Sequence, residues 1–210
     1  MELFTSAGLA EGEAFVSERV WGAICDGTLR VEAASIGRGT RFLVLRGCSS
    51  EEANALTHRE RQIVDRIAAG DCPTVVGFDL GISGSTVATH LASALHKLTQ
   101  GSRLRLYEAW ALVHQTGARL IHVAGEACWI LVAPLQPWPG SNRLTPAQLA
   151  VVDCLMNGLS NAEIAAARNV SIRTVANQLA AVFQRLQIAD RNDLALLVLS
   201  GRPRDECKCA

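Results

Sequence analysis

Several features that point to common functions are missing from this sequence. Aromatic residues make up only 5% of the chain, and its 20 basic residues are balanced by 20 acidic ones. A net charge of zero removes the broad positive field typical of nucleic-acid-binding proteins. No stretch reaches 18 uninterrupted apolar residues, and the N-terminus lacks the basic start and apolar segment of a secretion signal. We therefore expect no membrane span and a cytoplasmic location.

Catalytic and metal-binding patterns are also missing. The chain has no glycine-rich phosphate loop, no GxSxG and no HExxH, and its five histidines lack a ligand spacing. Its seven cysteines are scattered without a CxxC pair, which is typical of reduced thiols in the cytosol. Cys207 and Cys209 are the one metal-like fragment, and two thiols fall short of the ligands that zinc needs. We therefore expect no enzyme, no metal site and no cofactor.

An internal repeat is the main positive feature. At a shift of 88 residues, residues 56–106 align with residues 144–194 without a gap and share 14 of 51 positions. Shared segments include the Ser-x-x-Thr-Val-Ala runs at residues 83–88 and 171–176. A hydrophobic content of 49% supplies enough apolar surface for compact cores. The chain therefore contains one structural design twice.

Each copy carries the signals of four short helices in the same order. Thr57 and Glu60 form a capping box at the start of the first helix, and Gly70 suits a left-handed cap at its end. The second copy has Thr145, Gln148 and Gly158 in the same places. The first helix of each copy is therefore delimited at both ends.

The later helices begin at further capping residues. The predicted starts are Cys72-Pro73 and Ser160 for the second helices, Ser83 and Ser171 for the third, and Ser102 and Asp190 for the fourth. Apolar residues at helical spacing predict the buried face of each third helix. These residues are Val87, Leu91, Leu95 and Leu98 in the first copy, and Val175, Leu179, Phe183 and Leu186 in the second.

A β-hairpin is predicted in front of each helical block. Residues 29–34 and 41–45 flank a glycine turn, and so do residues 119–123 and 128–132. Because a lone two-stranded hairpin is marginal in water, we expect the two hairpins to pair or pack together. An amphipathic N-terminal helix would assist them, which joins the halves into one pseudo-two-fold body.

The repeated pattern of Leu-Thr, Gly, Ile-Ala, Ser-x-x-Thr-Val, Leu, Arg/Lys-Leu and Arg resembles the LuxR/GerE-type (NarL/FixJ-like) helix-turn-helix domain of bacterial transcription regulators. The resemblance covers about half of the chain. It implies a mainly α fold with two four-helix LuxR-type modules, each preceded by a short β-hairpin, produced by internal duplication. The predicted segments are an N-terminal helix and hairpin (1–50), the first module (51–116), the second hairpin and linker (117–140), the second module (141–201) and a flexible tail (202–210).

The resemblance implies a DNA-binding regulator whose third helices enter the major groove of double-stranded DNA. Lysines commonly follow the Thr-Val pair in this family, whereas this chain has Ala88 and Ala176. The residues that we predict to contact DNA are Ser83, Ser85, Thr86, Thr89, His90, Lys97 and Arg103 in the first module, and Ser171, Arg173, Thr174, Asn177, Gln178, Arg185 and Arg191 in the second.

The predicted roles of these residues differ. Arg173 suits a guanine edge and Asn177 an adenine edge. The predicted phosphate contacts are Lys97, Arg103, Arg185 and Arg191, together with the capping serines Ser83 and Ser171. Over the aligned blocks the first module has six basic and four acidic residues, and the second has four of each. The first module is therefore the better electrostatic candidate and the second the better base reader, and their linkage raises the effective concentration of each.

Structural interpretations of the same residues remain open. Ser83 and Ser171 are helix caps in either case, His90 is compatible with packing, and Arg103 and Arg191 are compatible with local pairing. The alanine face of the third helix in the second copy also suits packing against another helix. One rival function is an adaptor that grips RNA polymerase or another regulator without binding DNA. The other is a homodimer, in place of a pseudo-symmetric monomer, with one module on DNA and contacts through Leu106, Ala109, Trp110 and Val113 or through Leu194, Leu197 and Val198.

Overall fold

The computed structural model describes residues 13–37, 39–115, 118–134 and 137–200, so the tail with Cys207 and Cys209 lies outside the described residues. Within these ranges the chain forms nine α-helices and one four-stranded antiparallel sheet, and the predicted mainly α class is confirmed. The described residues divide into two compact units, one up to residue 134 and one from residue 137. No helix in these ranges is long and apolar enough to span a membrane.

The first unit contains five helices and all four strands. Its elements are α1 (Glu13–Cys25), β1 (Leu29–Gly37), β2 (Thr40–Gly47), α2 (His58–Ala69), α3 (Pro73–Leu80), α4 (Gly84–Thr99), α5 (Arg103–Val113), β3 (Arg119–His122) and β4 (Cys128–Pro134). The second unit is helical in its described part. Its elements are a 3-10 turn (Ser141–Arg143), α6 (Pro146–Met156), α7 (Asn161–Arg168), α8 (Ile172–Leu186) and α9 (Arg191–Ser200).

The predicted helix caps are confirmed. The hydroxyl of Thr57 accepts a hydrogen bond from the Glu60 amide, and the Glu60 carboxylate accepts one from the Thr57 amide at 2.7 Å. Thr145 and Gln148 form the same box at the start of α6. Gly70 adopts a φ of 111° directly after the last residue of α2, and Gly158 has a φ of 82° two residues after Met156, the last residue of α6. Both glycines occupy the left-handed region that disfavours other residues.

The caps of the inner helices also agree with the sequence. Ser83 and Ser171 accept hydrogen bonds from the third residue after them, at the starts of α4 and α8. Ser160 forms a capping box with Glu163, whereas Cys72 makes no side-chain cap and Pro73 occupies the first turn of α3. The helices of each helix-turn-helix therefore begin at residues that the local sequence marks as helix starts, either by a side-chain cap or by a proline in the first turn.

The cores follow the predicted stripes, with one difference in the second copy. All four predicted residues of α4 are buried, and so are Val175 and Leu179 of α8. Phe183 and Leu186 of α8 are half-buried, while Val182 is fully buried. A helical face is a continuous sector, so small rotations of α8 against α6 and α7 move neighbouring positions in or out of the core.

The two hairpins form one sheet, which confirms the prediction that they pair. The strand order is β1-β2-β4-β3, and every neighbouring pair is antiparallel. One face of the sheet packs against α5, and β1 also contacts α1 and α4. The second hairpin thus belongs to the first unit, although in the sequence it precedes the second helical block.

The pairing of β2 with β4 has internal two-fold character. Under the 88-residue shift Leu43 corresponds to Leu131, and these two residues are direct partners in the ladder. On either side, Phe42 pairs with Val132 and Val44 pairs with Ile130. Because Phe42 corresponds to Ile130 and Val44 to Val132 under the same shift, each residue pairs with the equivalent of the other. A two-fold axis through the Leu43–Leu131 pair produces this relation.

The helices before the hairpins obey the same shift. Moving α1 by 88 residues places it on residues 101–113, which include the whole of α5. The two helices pack on each other, with the rings of Trp21 and Trp110 edge to face at 4.9 Å. Helix α5 therefore has two roles, as the fourth helix of the first helix-turn-helix block and as the helix that introduces the second hairpin.

This packing corrects one rival hypothesis. The homodimer hypothesis uses the apolar face of α5 as one of its two alternative interfaces, but Leu106, Ala109 and Val113 are 1%, 1% and 4% exposed. That face is occupied within the first unit by α1 and the sheet. The α9 residues Leu194 and Leu197 are likewise buried.

Candidate nucleic-acid interface

Each third helix presents a polar and alanine-rich face opposite its buried stripe. On α4 the exposed residues at helical spacing include Ser85, Ala88, Thr89 and Ala92. On α8 the corresponding residues are Arg173, Ala176, Asn177 and Ala180, and all four are exposed. The positions that the sequence assigns to the major groove therefore lie on the surface of each unit.

The N-terminal hydroxyls of the two third helices have the same geometry. The Oγ of Ser83 lies 2.8 Å from the Oγ1 of Thr86, and the Oγ of Ser171 lies 2.8 Å from the Oγ1 of Thr174. Both serines and Thr174 are exposed, and Thr86 is half-buried. These groups satisfy the first turn of the helix and also face the solvent where a phosphate could approach.

The cations near the far ends of the third helices are bound within their own modules. The Nζ of Lys97 donates to Glu60 at 2.8 Å and to the carbonyl oxygen of Ala55 at 3.2 Å. Arg185 donates to Gln148 at 3.0 Å and to the carbonyl oxygen of Arg143 at 3.3 Å. The two copies thus make the same contact with different residues.

The acid that binds Lys97 is strongly stabilised in its charged form. Burial would raise the pKa of Glu60, which is 4% exposed. Hydrogen bonds from Lys97, Ser93 and Thr57 outweigh this effect and lower the pKa of Glu60 to about 2. The Glu60 carboxylate is therefore a fixed anion that ties α2 to the far end of α4.

The predicted base-reading residues are free of internal contacts. Arg173 and Asn177 are exposed on α8 and have no hydrogen-bond or ion-pair partner among the residues that the structure describes. Gln178, beside them, is half-buried and accepts a hydrogen bond from Arg168 at 2.9 Å. Arg173 and Asn177 are one helical turn apart, so both project from the same face of α8.

The family model described as bacterial regulatory proteins, luxR family, matches the chain twice, at residues 54–109 and 142–198. These two segments cover more than half of the 210 residues. The chain belongs to the LuxR family. No curated protein and no solved structure is similar enough to this chain to count as a match.

The remaining predicted residues of the two LuxR-type segments differ in their exposure and in whether they make internal hydrogen bonds. Arg103 is half-buried without a partner among the described residues, and His90 is half-buried at the position that Gln178 occupies in the second copy. Arg191 is exposed but donates to the carbonyl oxygen of Leu159 at 3.1 Å. Arg103 is thus the most available of the predicted phosphate contacts.

The location of charge differs from what a count suggests. In the first LuxR-type segment, Arg61, Arg66 and Lys97 form ion pairs with neighbouring carboxylates. No basic residue of the second segment forms an ion pair within the described part of the chain. Three of the six basic residues of the first segment are therefore bound in ion pairs, which the sequence count did not reveal.

Three exposed apolar residues were missed by the sequence reasoning. Ile172, in the first turn of α8, is 56% exposed beside the predicted contacts. Phe78 and Val75 lie one turn apart on the outer face of α3, with 87% and 40% of their surfaces exposed. The signal for Ile172 was its place directly after the capping Ser171; no local signal distinguishes Phe78 from a core residue.

Among the described residues, no group of histidine, cysteine and acidic side chains could hold a metal ion.

Proposed function

We propose that this protein is a sequence-specific transcription regulator that binds double-stranded DNA with two helix-turn-helix modules in one chain. The two modules take the place of the two subunits of a dimer, and α4 and α8 enter the major grooves of adjacent half-sites. The observation that carries this proposal is the double LuxR-family match combined with the exposed faces of both third helices.

The contacts of α8 support the readout part of the proposal. Arg173 can donate two hydrogen bonds to a guanine, and Asn177 can exchange two with an adenine. Both side chains are exposed and unengaged among the described residues, so neither must break an internal contact to reach a base. The proposed surrounding contacts are Ser83, Ser85, Thr86, Thr89, His90, Lys97, Arg103, Ser171, Thr174, Gln178, Arg185 and Arg191.

The pseudo-dimer part of the proposal is supported by the sheet of the first unit. A strand pair in which Leu43 meets its own repeat equivalent, Leu131, is the arrangement expected of two identical subunits with an isologous interface. Duplication within one chain would preserve such an interface while removing its dependence on concentration. We propose that the chain acts as a monomer for this reason.

The test is recovery of duplexes from a random DNA library by the full-length chain, followed by salt titration of the preferred site. We expect a reproducible sequence motif. We also expect the logarithm of the binding constant to fall linearly with the logarithm of the salt concentration, with a slope that reflects several phosphate contacts. Absence of any enriched sequence at low salt, with a folded protein, would contradict the proposal.

A second candidate function is favoured by the exposed pair of Phe78 and Val75. An apolar side chain that is 87% exposed on a helix suits a protein contact, and the second copy has Ala166 in place of Phe78. The chain would then be an adaptor that grips another regulator or RNA polymerase.

Substitution of Phe78→Ser separates the two functions. The regulator proposal expects unchanged affinity and specificity for the selected duplex. The adaptor alternative expects no selected duplex in the first place, together with a protein partner that the wild type retains and the Phe78→Ser variant loses.

A further inference from the structure

The two third helices differ in the chemistry that they expose. On α8, Arg173 carries a guanidinium and Asn177 an amide, and each of these groups can make two parallel hydrogen bonds to one base. The corresponding residues of α4 are Ser85 and Thr89. The groups capable of bidentate base recognition are thus confined to one of the two helices at these positions.

The hydroxyls of α4 are engaged within their own helix. The Oγ of Ser85 lies 2.7 Å from the Oγ of Ser83, and the Oγ1 of Thr89 donates to the carbonyl oxygen of Ser85 at 3.0 Å. A threonine that gives its one proton to the backbone can only accept a hydrogen bond from a base. Single hydroxyl contacts suit several base edges, so they discriminate poorly.

The neighbouring positions of α4, between residues 84 and 92, do not compensate. Ala88 and Ala92 have alanine equivalents on α8, so their methyl groups contribute nothing that differs between the modules. His90 is half-buried, and one ring nitrogen offers one hydrogen bond. The tip of α4 has Gly84, without a side chain, where α8 has Ile172 with 56% of its surface exposed.

We propose that the operator of this protein is asymmetric. The base pairs beneath α8 are specified, with a guanine for Arg173 and an adenine for Asn177, while the half-site beneath α4 is bound with little preference for any base. This inference rests on the proposed DNA-binding function. Residues four apart are about 6 Å apart along a helix, and base pairs stack at about 3.4 Å, so the guanine and adenine lie within about two base-pair steps.

The test measures the affinity of the full-length chain for its selected duplex and for every single-base variant of that duplex. We expect one block of preferred positions that contains the guanine and the adenine. A mismatch inside this block weakens binding by about 5- to 150-fold. A mismatch in the other half-site changes the affinity by less than about 3-fold, because phosphate contacts carry no base information.

Two sets of variants assign the block to α8. Arg173→Ala combined with Asn177→Ala is expected to flatten the preferred block to the level of the other half-site. Arg119→Ala is the matched control, since it removes an exposed arginine from β3, which belongs to neither LuxR-type segment. This control leaves the block unchanged.

A graft tests the same idea by gain of function. Ser85→Arg combined with Thr89→Asn gives α4 the two reading side chains of α8 at exposed positions. We expect a second block, with its own guanine and adenine, to appear in the selected motif. Thermal unfolding of the variant, compared with the wild type, verifies that the graft folds.

The outcomes separate this inference from the function on which it depends. Two blocks of equal strength in the wild type, a block that survives the loss of Arg173 and Asn177, or a folded graft without a new block would each overturn the asymmetry and leave DNA binding intact. Failure to enrich any duplex would overturn DNA binding itself.

Discussion

Two cations at the far ends of the third helices act as internal ties. Lys97 and Arg185 bind the capping-box residue of the first helix of their own copy and a carbonyl oxygen two residues before its N-cap. The pair is Lys–Glu in one copy and Arg–Gln in the other, although the contact is the same. We interpret this contact as one that holds the third helix of each copy in place against the first.

The tie predicts a large difference between two cations of the first module. Lys97→Met should lower the free energy of unfolding by about 3 kcal/mol, because it leaves the carboxylate of Glu60 buried without its cation. Arg103→Met, which removes a cation that has no partner among the described residues, should change it by less than about 0.5 kcal/mol. Urea denaturation of both variants measures the difference, and equal stabilities would refute the structural role of Lys97.

A second buried acid introduces a dependence on pH. Glu108 on α5 is 5% exposed, and burial raises its pKa to about 7 against the opposing effect of Arg105 and Arg41. The folded chain therefore holds this proton up to about pH 7, whereas the unfolded chain releases it near the ordinary value of 4.5. Because the folded state binds more protons in this window, the contribution of Glu108 to stability falls as pH rises.

Substitution of Glu108→Gln should remove this contribution. Between about pH 4.5 and 7 the wild type should lose about 3 kcal/mol of unfolding free energy from this group, and the variant should not. The measurement is the difference between variant and wild type in urea titrations across that range. A difference that stays constant with pH would show that Glu108 does not titrate there.

At the scale of elements, the first helix-turn-helix depends on a close approach between α3 and the turn that follows it. A Cβ added to Gly77 would lie 2.9 Å from the carbonyl oxygen of Ile82, and Gly81 in the turn has a φ of 64°. The second copy has Ala165 at the position of Gly77, and it is buried. The two turns therefore differ in how closely the backbones approach.

This difference predicts opposite effects of alanine at two helical glycines. Gly77→Ala should destabilise the chain by about 1–3 kcal/mol, because the backbone of the turn must move to accept the methyl group. Gly84→Ala, where an added Cβ meets nothing within 4 Å, should be neutral or stabilising by up to about 1 kcal/mol. Thermal unfolding of the two variants measures this difference. An unchanged stability of Gly77→Ala would contradict the prediction, because it would mean that the backbone of the turn moves at little cost in free energy.

At the scale of the whole molecule, the duplication is built into the sheet of the first unit. Leu43 and Leu131 are 0% and 2% exposed and pair directly at the point where the repeat meets itself. Helices α1 and α5, which also correspond under the shift, pack on each other beside the sheet. The first unit therefore contains elements of both repeats, while the second unit holds the remaining helical segment.

The two-fold pairing predicts equal and coupled effects at its centre. Leu43→Ala and Leu131→Ala should each cost about 2–5 kcal/mol, and the double variant should deviate from additivity by about 0.5 kcal/mol or more. Leu43→Ala with Val76→Ala, on a helix that packs against α2 and α4, is the control and should be additive. Strict additivity of the leucine pair would contradict their contact.

Features that depend on neighbours along the chain could be predicted from the amino-acid sequence. Capping boxes link residues three apart, and the buried stripe of a helix follows its 3.6-residue period, so Thr57, Ser83 and Gly70 could be assigned from local patterns. The same periodicity placed Arg173 and Asn177 on the exposed face of α8. The repeated motif also indicated the family, because the spacing of its residues can be read from the sequence alone.

Contacts between residues far apart in the chain became visible only in the folded structure. Lys97 donates a hydrogen bond to Glu60, 37 positions away, and no pattern in the sequence links these two residues. The strands β2 and β4 pair in a register that local propensity does not encode, and this pairing placed the second hairpin in the first unit. Such contacts depend on how whole elements pack, and a sequence pattern records the faces of those elements but not the partners that cover them.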